Sequence, residues 1–406
     1  MFRKFSVLLF VLVVVSLVLA ACGAPATPAT PAVIKETQIV EVTKVVAGTP
    51  VTVKETVVVA PTAAPVATKM APGSVQLNGS GATFPVPVYT EWIFAYQYID
   101  PSVTINYQGV GSGGGKKAIV DGTVDFAGSD SAVTDAEYTA GKDLQMYPII
   151  AGSLAIIYNL EGAKAGDPVL LLDRATLVGI YNGTIKTWND PAIVKLNPDL
   201  KTLSAKPITA AHRSDGSGTT EIMTNALKAF SPDWKAGAGS AIEWPVDKAG
   251  NGVGGKGNQG VAAAVQNTPN SIGYVELSYA VQNTIPYANL INKAGKTVKP
   301  DAASTQAAMA DFADKFSDKL TSVIVDAAGE KSYPIAGYTY LVLHTTSMTD
   351  CVKAQKILEF WKWALTDASA AKRAADLGYS VLPAAVQKTV LAKMAAVTCK
   401  GAPVIK

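Results

Sequence analysis

Residues 208–220 read ITAAHRSDGSGTT. Pro207 to Ala211 has the make-up of a strand. A glycine and hydroxyl turn follows, and beyond it Ile222, Ala226 and Phe230 recur at helical spacing. A strand that ends in a small polar turn and reopens as a helix gathers unpaired N–H groups and the positive end of a helix dipole at one point. Such a turn suits an anion.

The same grammar appears three more times. Val75-Gln76-Leu77-Asn78 alternates and runs into Gly79-Ser80-Gly81-Ala82-Thr83-Phe84-Pro85. After it Val88, Trp92, Tyr96 and Ile99 form a helical stripe. Val103–Tyr107 reads as a strand ending in Gly109-Val110-Gly111-Ser112-Gly113-Gly114-Gly115. Val124–Gly128 reads as a strand stopping at Ser129-Asp130-Ser131, and the Thr134/Glu137 pair has the spacing of a capping box that announces a helix. Strands alternating with helices predict an α/β protein, whose ligands sit at the carboxyl ends of the strands.

Outward from these turns, the bulk numbers narrow the class. The chain has 406 residues, 49% hydrophobic and 17% charged, so it can bury a large core. A net charge of +3 without any Lys/Arg stripe argues against a nucleic-acid partner. The two histidines, His212 and His344, are far apart. Cys22, Cys351 and Cys399 form no CxxC, so a structural zinc site is not expected; no cofactor is expected either.

The start is basic (MFRK), and Phe5 to Leu19 is apolar apart from Ser6 and Ser16. This run is short of the ~20 residues a membrane span needs. It ends in Leu19-Ala20-Ala21-Cys22, so residues 1–21 are expected to be a secretory signal peptide. Leu-Ala-Ala-Cys resembles the lipobox of bacterial lipoproteins, which implies an acylated Cys22 and a stable membrane anchor. From Gly23 to about Pro72 the chain is rich in Ala, Pro, Thr and Val and lacks aromatic residues. Its Val/Thr alternation permits a hairpin, but no nearby core would pack it. An extended tether stiffened by proline is expected.

Two enzyme-like readings of the turns fail on spacing. The strings TAAH and DGSG resemble those of serine hydrolases, with Ser217 as nucleophile. His212, however, lies on the strand side of the same turn, and Asp215 stands where a nucleophile elbow requires its first glycine. Gly109–Lys117 is not a P-loop, because Lys116 is followed by Lys117 rather than Ser or Thr; both lysines are expected to be solvated on a helix.

Asn78–Tyr89, Tyr107–Ser112, Val124–Asp130 and Arg213–Thr219 together resemble the phosphate-binding proteins of bacterial phosphate-specific (Pst) ABC importers. Gly254–Asn258, Ile272–Glu276 and Ala374–Tyr379 extend the resemblance in the same order, from about residue 75 to 395. It implies a class II periplasmic-binding-protein fold, with two α/β domains joined by crossover strands and the ligand in the cleft. The chain would cross near Gly152 and return near Ile335, giving domain I over 74–152 plus 336–406 and domain II over 153–335, behind a lipidated tether at 22–73. Carried over position by position, the resemblance implies phosphate-binding roles for Thr83, Phe84, Ser112, Asp130, Arg213, Asp215, Ser217, Gly218 and Thr219. It also implies a non-enzymatic, monomeric receptor that works outside the cytoplasm and delivers phosphate to membrane permease subunits.

The chemistry of the residues agrees. Neutral donors and helix N-termini hold an anion, with Arg213 as the full opposing charge and Asp215 orienting it. Asp130 would repel a bare anion, yet an ionised carboxylate accepts a hydrogen bond from a ligand that keeps a proton. Phosphate keeps one at neutral pH and sulfate does not. An unmet buried acceptor costs about 1–3 kcal/mol, and sites built around such bonds reject by roughly 10⁴-fold. The alternatives are a secreted hydrolase using Ser217 and a receptor for another tetrahedral oxyanion such as arsenate or sulfate. Gly113 and the stretch Pro245–Gly254, expected as a surface loop, depart from the family pattern. Cys351 and Cys399 both fall in the exported part, and a disulfide between them is expected.

Overall fold

The four expected strand–turn units all form, and three of them run straight on into a helix through a short turn. The computed structural model describes residues 37–46, 49–58, 75–162 and 168–405. Two strands come first, β1 (Thr37–Val46) and β2 (Thr49–Val58). β3 (Val75–Gly81) then leads into α1 (Val86–Tyr96), and β4 (Val103–Gly109) into α2 (Ser112–Val120). β5 (Phe126–Ser129) precedes α3 (Asp135–Gly141), whose N-terminus carries the expected Thr134/Glu137 capping box. After the long β6 (Leu144–Asn159) come β7 (Thr209–Arg213), α4 (Gly218–Phe230), β8 (Gly252–Gly255), α5 (Gly257–Asn267) and β9 (Ser271–Glu276). β10 (Ala336–His344) and α6 (Cys351–Thr366) follow.

The sheet path runs β2-β1-β8-β7-β9-β6-β10-β5-β3-β4. β6 is the pivot. Its residues 144–153 pair antiparallel with β10, from Leu144↔His344 to Ser153↔Ala336, with a register shift between Thr339 and Tyr340. Its residues 154–159 pair antiparallel with β9, from Leu154↔Glu276 to Asn159↔Ser271. One strand thus hands over from one partner, β10, to another, β9, at Ser153–Leu154. Both faces of β6 are covered, and fourteen of its sixteen residues are buried; a strand buried on both faces needs such a near-continuous apolar run.

The helices pack as their periodicity demands. Ile222, Ala226 and Phe230 of α4 are buried, as are Val88, Trp92 and Tyr96 of α1. Trp92 also donates its indole N–H to the Ala370 carbonyl at 2.9 Å. Ile99, expected on the same stripe, lies beyond the end of the helix and is 58% exposed.

Three further expectations need correction. Lys116 is not solvated: it is 4% exposed, and its ammonium donates to the Ala132 carbonyl at 2.9 Å and pairs with Glu137 at 3.1 Å. Lys117 is exposed as expected. Pro245–Gly254 is not a plain surface loop, because Pro245–Lys248 forms a helical turn with Trp244 and Val246 buried, leading into β8. Within the expected tether, 37–46 and 49–58 are strands, and β1 meets β8 antiparallel at Lys44↔Val253. The sheet edge offers the partner that the local sequence lacks.

Cys351 and Cys399 form a disulfide with their Cα atoms 5.5 Å apart, tying the start of α6 to the C-terminal segment. The expected signal peptide and Cys22 lie outside the described residues. Among the described residues no helix is long and apolar enough to cross a membrane.

Candidate anion-binding site

The first turn is built by close backbone packing. Gly81 has φ +144°, and a Cβ there would fall 2.0 Å from the Gly128 carbonyl oxygen, so the ends of β3 and β5 can touch only without a side chain. Thr83 and Phe84 follow, 2% and 0% exposed. Their carbonyls face other segments: Tyr279 donates its hydroxyl to Thr83 O at 2.5 Å, and Tyr379 donates to Phe84 O at 2.7 Å.

The second and third turns meet at Ser112 and Asp130. Asp130 is 6% exposed, and its N–H donates to Ser112 Oγ at 3.1 Å. Its Oδ1 accepts from Thr339 Oγ1 at 2.7 Å and its Oδ2 from Ser112 Oγ at 3.4 Å. Burial pushes the Asp130 carboxyl up to about 7, against the pull of the Thr339 and Ser112 hydroxyls and the Arg213 charge.

Arg213 ends β7 on the opposing wall and is 4% exposed. Its guanidinium grips Asp215 in a fork, Nε to Oδ1 at 2.7 Å and Nη2 to Oδ2 at 2.5 Å. Asp215 is itself held by the Gly257 N–H at 3.1 Å, while Arg213 Nη1 reaches Thr219 Oγ1 at 3.4 Å. Ser217 caps α4, its hydroxyl accepting from Thr220 N at 3.1 Å. That bond leaves the Ser217 proton for donation.

The two walls are in contact. Gly218 N donates to Ser112 Oγ at 3.1 Å, and Gly113 N to the Gly216 carbonyl at 3.0 Å. A Cβ on Gly218 would lie 2.4 Å from Asp130 Cβ. Gly111, at φ +89°, would likewise drive a Cβ to 2.4 Å from Asp215 Oδ2. Beside the junction a recess of about 280 Å³ runs up to Asp130, lined by Ala132, Glu221, Ile222, Tyr338 and Tyr340 among others.

His212 takes no part. Its Nε2 meets Asp247 Oδ1 at 2.8 Å, its Nδ1 meets the Arg213 carbonyl at 3.0 Å, and its ring stacks on Trp244 with centroids 5.0 Å apart. With both ring nitrogens engaged elsewhere, His212 is not placed as the base that a Ser217 nucleophile would need.

The structure therefore brings the expected residues into two hydrogen-bonded sets, Ser112, Asp130 and Gly218 in one and Thr83, Thr219, Arg213 and Asp215 in the other, which adjoin at Gly218–Thr219, with Phe84 and Ser217 beside them. Sequence reasoning missed four contributors. Thr339 arrives from β10. Asn258 opens α5 and bonds Thr83 and Thr219 together. Tyr379 bridges Phe84 O and Glu276 Oε2, the latter at 2.8 Å. Glu276 is fully buried with Oε1 unpartnered, and burial pushes its carboxyl up to about 8. The signal for Asn258 was present: Gly254-Gly255-Lys256-Gly257-Asn258 is a further glycine-rich strand-to-helix turn. Among the described residues no cluster of three or more His, Cys, Asp or Glu could hold a metal.

A family model described as a PBP superfamily domain matches residues 59–368. A phosphate-binding protein PstS of Pasteurella multocida is 39% identical over 320 residues, covering 78% of this chain and 89% of its own. A phosphate-binding protein PstS of Methanocaldococcus jannaschii is 36% identical over 334 residues, covering 78% and 85%. Among solved structures, a high affinity periplasmic phosphate-binding protein bound with phosphate superposes with a TM-score of 0.62 at 23% identity, over 78% of this chain and 93% of its own. A phosphate-binding protein from Stenotrophomonas maltophilia gives 0.59 at 21% identity, over 79% and 94%. The structural likenesses establish a periplasmic-binding-protein fold of two α/β domains. Sequence identity of 36% and 39% across more than three quarters of the chain goes further: the chain belongs to the phosphate-binding protein PstS family.

Proposed function

We propose that the chain is an extracytoplasmic receptor that captures inorganic phosphate by hydrogen bonding and delivers it to the transmembrane permease subunits of an ABC importer. The observation that carries this reading is a buried carboxylate set among donors. Asp130 stands beside hydroxyls, backbone N–H groups and one guanidinium, and it is the group positioned to accept the proton that phosphate retains. The proposed ligands are Thr83, Phe84, Ser112, Asp130, Arg213, Ser217, Gly218 and Thr219, with Asp215 holding the Arg213 fork.

In this reading domain I comprises 74–152 plus 336–406, and domain II comprises 153–335. The handover of β6 at Ser153–Leu154 supports that division. The bonds from Thr83 to Asn258, Ser112 to Gly218 and Tyr379 to Glu276 then cross between domains, and they describe the closed state a permease would recognise. Acylation of Cys22 would tether this monomer to the membrane, and phosphate capture needs neither metal nor cofactor. Calorimetric titration with phosphate in excess sulfate tests the function. One-to-one binding that sulfate barely disturbs is expected, and equal competition by sulfate would refute the assignment.

A further inference from the structure

The hydroxyl groups of the site have their polarity fixed by a count of lone pairs. A serine or threonine oxygen has two lone pairs and one proton. Thr83 Oγ1 accepts from the backbone N–H of Asn258 at 3.1 Å and from its Nδ2 at 2.8 Å. Thr219 Oγ1 accepts from Asn258 Nδ2 at 3.1 Å and from Arg213 Nη1 at 3.4 Å. Ser112 Oγ accepts from the N–H groups of Asp130 and Gly218, each at 3.1 Å. Every lone pair is engaged, so each oxygen has only its proton left to give. That of Ser112 faces Asp130 Oδ2 at 3.4 Å. Those of Thr83 and Thr219 meet no acceptor of the chain among the described residues.

Asn258 cannot be turned the other way. The Glu276 N–H donates to its Oδ1 at 2.9 Å, which obliges Nδ2 to face the two threonines. The side chain is fully buried, so water is no substitute.

We propose that Asn258 is a specificity-determining positioning residue, whose amide obliges Thr83 and Thr219 to act as donors toward the bound anion and joins the two walls around it. The inference rests on the phosphate reading and deepens it. A ligand must offer acceptors to both threonines and a proton to Asp130 alone. Replacing Asn258 by a group that accepts would draw both hydroxyl protons away from the ligand.

Asn258→Asp keeps the shape and the bond from Glu276 N but replaces the donating Nδ2 with an oxygen. Measured by calorimetry on the full chain at pH 8, phosphate binding is expected to weaken about 100-fold, the scale of two lost hydrogen bonds to a charged group. Relative to wild type at each pH, the deficit should narrow as acid returns a proton to the introduced carboxyl. Thr83→Val should weaken binding about tenfold while Thr83→Ser preserves it. In a Thr83→Val, Thr219→Val background, Asn258→Asp should cost much less, whereas simple charge repulsion would cost as much as before. Binding by Asn258→Asp within threefold of wild type, or an undiminished cost in that background, overturns the inference. If Asn258→Asp fails to fold by circular dichroism, the Thr83 pair decides: a Val variant that binds like the Ser variant overturns it. Absence of phosphate binding by wild type overturns the receptor reading and this inference together, whereas wild-type binding with an indifferent Asn258→Asp overturns the inference alone.

Discussion

Thr339 Oγ1 donates to Asp130 Oδ1 at 2.7 Å, joining the crossover strand β10 to the turn after β5. That bond occupies one carboxylate oxygen, while Oδ2 has the longer contact, 3.4 Å from the Ser112 hydroxyl, and is the oxygen proposed to meet a ligand. Thr339→Val should leave the fold intact and weaken phosphate binding roughly tenfold, because the carboxylate loses the hydroxyl that holds it ionised and oriented. Calorimetry on the variant checks this, and unchanged affinity would show that Asp130 is positioned by other means.

Selectivity should depend on pH with a definite sign. Burial raises the Asp130 carboxyl to about 7, so above that pH it is an acceptor and below it a donor. A protonated Asp130 can donate to a fully ionised oxyanion. Sulfate should compete poorly with phosphate at pH 8.5 and progressively better as the pH falls below 7. Competition that is flat across this range would contradict the role assigned to the carboxyl.

Stability without ligand should move the same way. Asp130 and Glu276 have folded-state values raised to about 7 and about 8. Groups raised in this manner contribute stability fully present below their unfolded values of 3.8 and 4.5 and lost as the pH rises through the folded values. Asp143, held well below the usual carboxylate range by His344 and the N–H groups of Thr346 and Ser347 despite its burial, acts oppositely, its contribution being lost as the pH falls. Urea midpoints measured without phosphate should therefore peak in mildly acidic solution and decline toward pH 8. A midpoint that climbs steadily to pH 8 would oppose this.

Gly218→Ala should act on binding more than on folding. The added methyl would fall 2.4 Å from Asp130 Cβ, on the opposite wall, and would hold the walls apart. Phosphate affinity should drop by about tenfold or more with little change in the urea midpoint, because φ there is not left-handed. Equal affinity would mean that the walls need not meet this closely.

The Cys351–Cys399 disulfide should matter for stability alone. Its closed loop spans 48 residues, and in the chain-entropy model it contributes about 4 kcal/mol. The paired change Cys351→Ser, Cys399→Ser should lower the melting temperature and leave phosphate affinity as it was, since neither cysteine approaches the site network.

How much of this was legible in the sequence follows from the range of each interaction. The turns at 79–85, 109–115, 128–131 and 213–219 could be read because periodicity and glycine are local signals, and the α/β fold follows from their alternation. Asp130 was placed in the site by the family resemblance, and the chemistry of a carboxylate in an anion site then explained its role. Thr339 could not, since it lies inside an apolar strand 209 residues from its partner. Lys116 looked solvated because its neighbours in sequence give no hint of Ala132 O and Glu137 packed over it. The strands at 37–46 and 49–58 were missed because a sheet edge, formed by distant residues, supplies their partner.

Asp130 is the group proposed to recognise a ligand by its proton, and substitution there tests that role most directly. Phosphate and sulfate affinities of wild type and Asp130→Asn should be measured side by side at pH 8. Wild type should favour phosphate by roughly 10⁴-fold or better, and the carboxamide, which can donate, should bring the two anions within about a hundredfold of each other. If Asp130→Asn keeps the wild-type preference, the proton-acceptor account of selectivity is wrong.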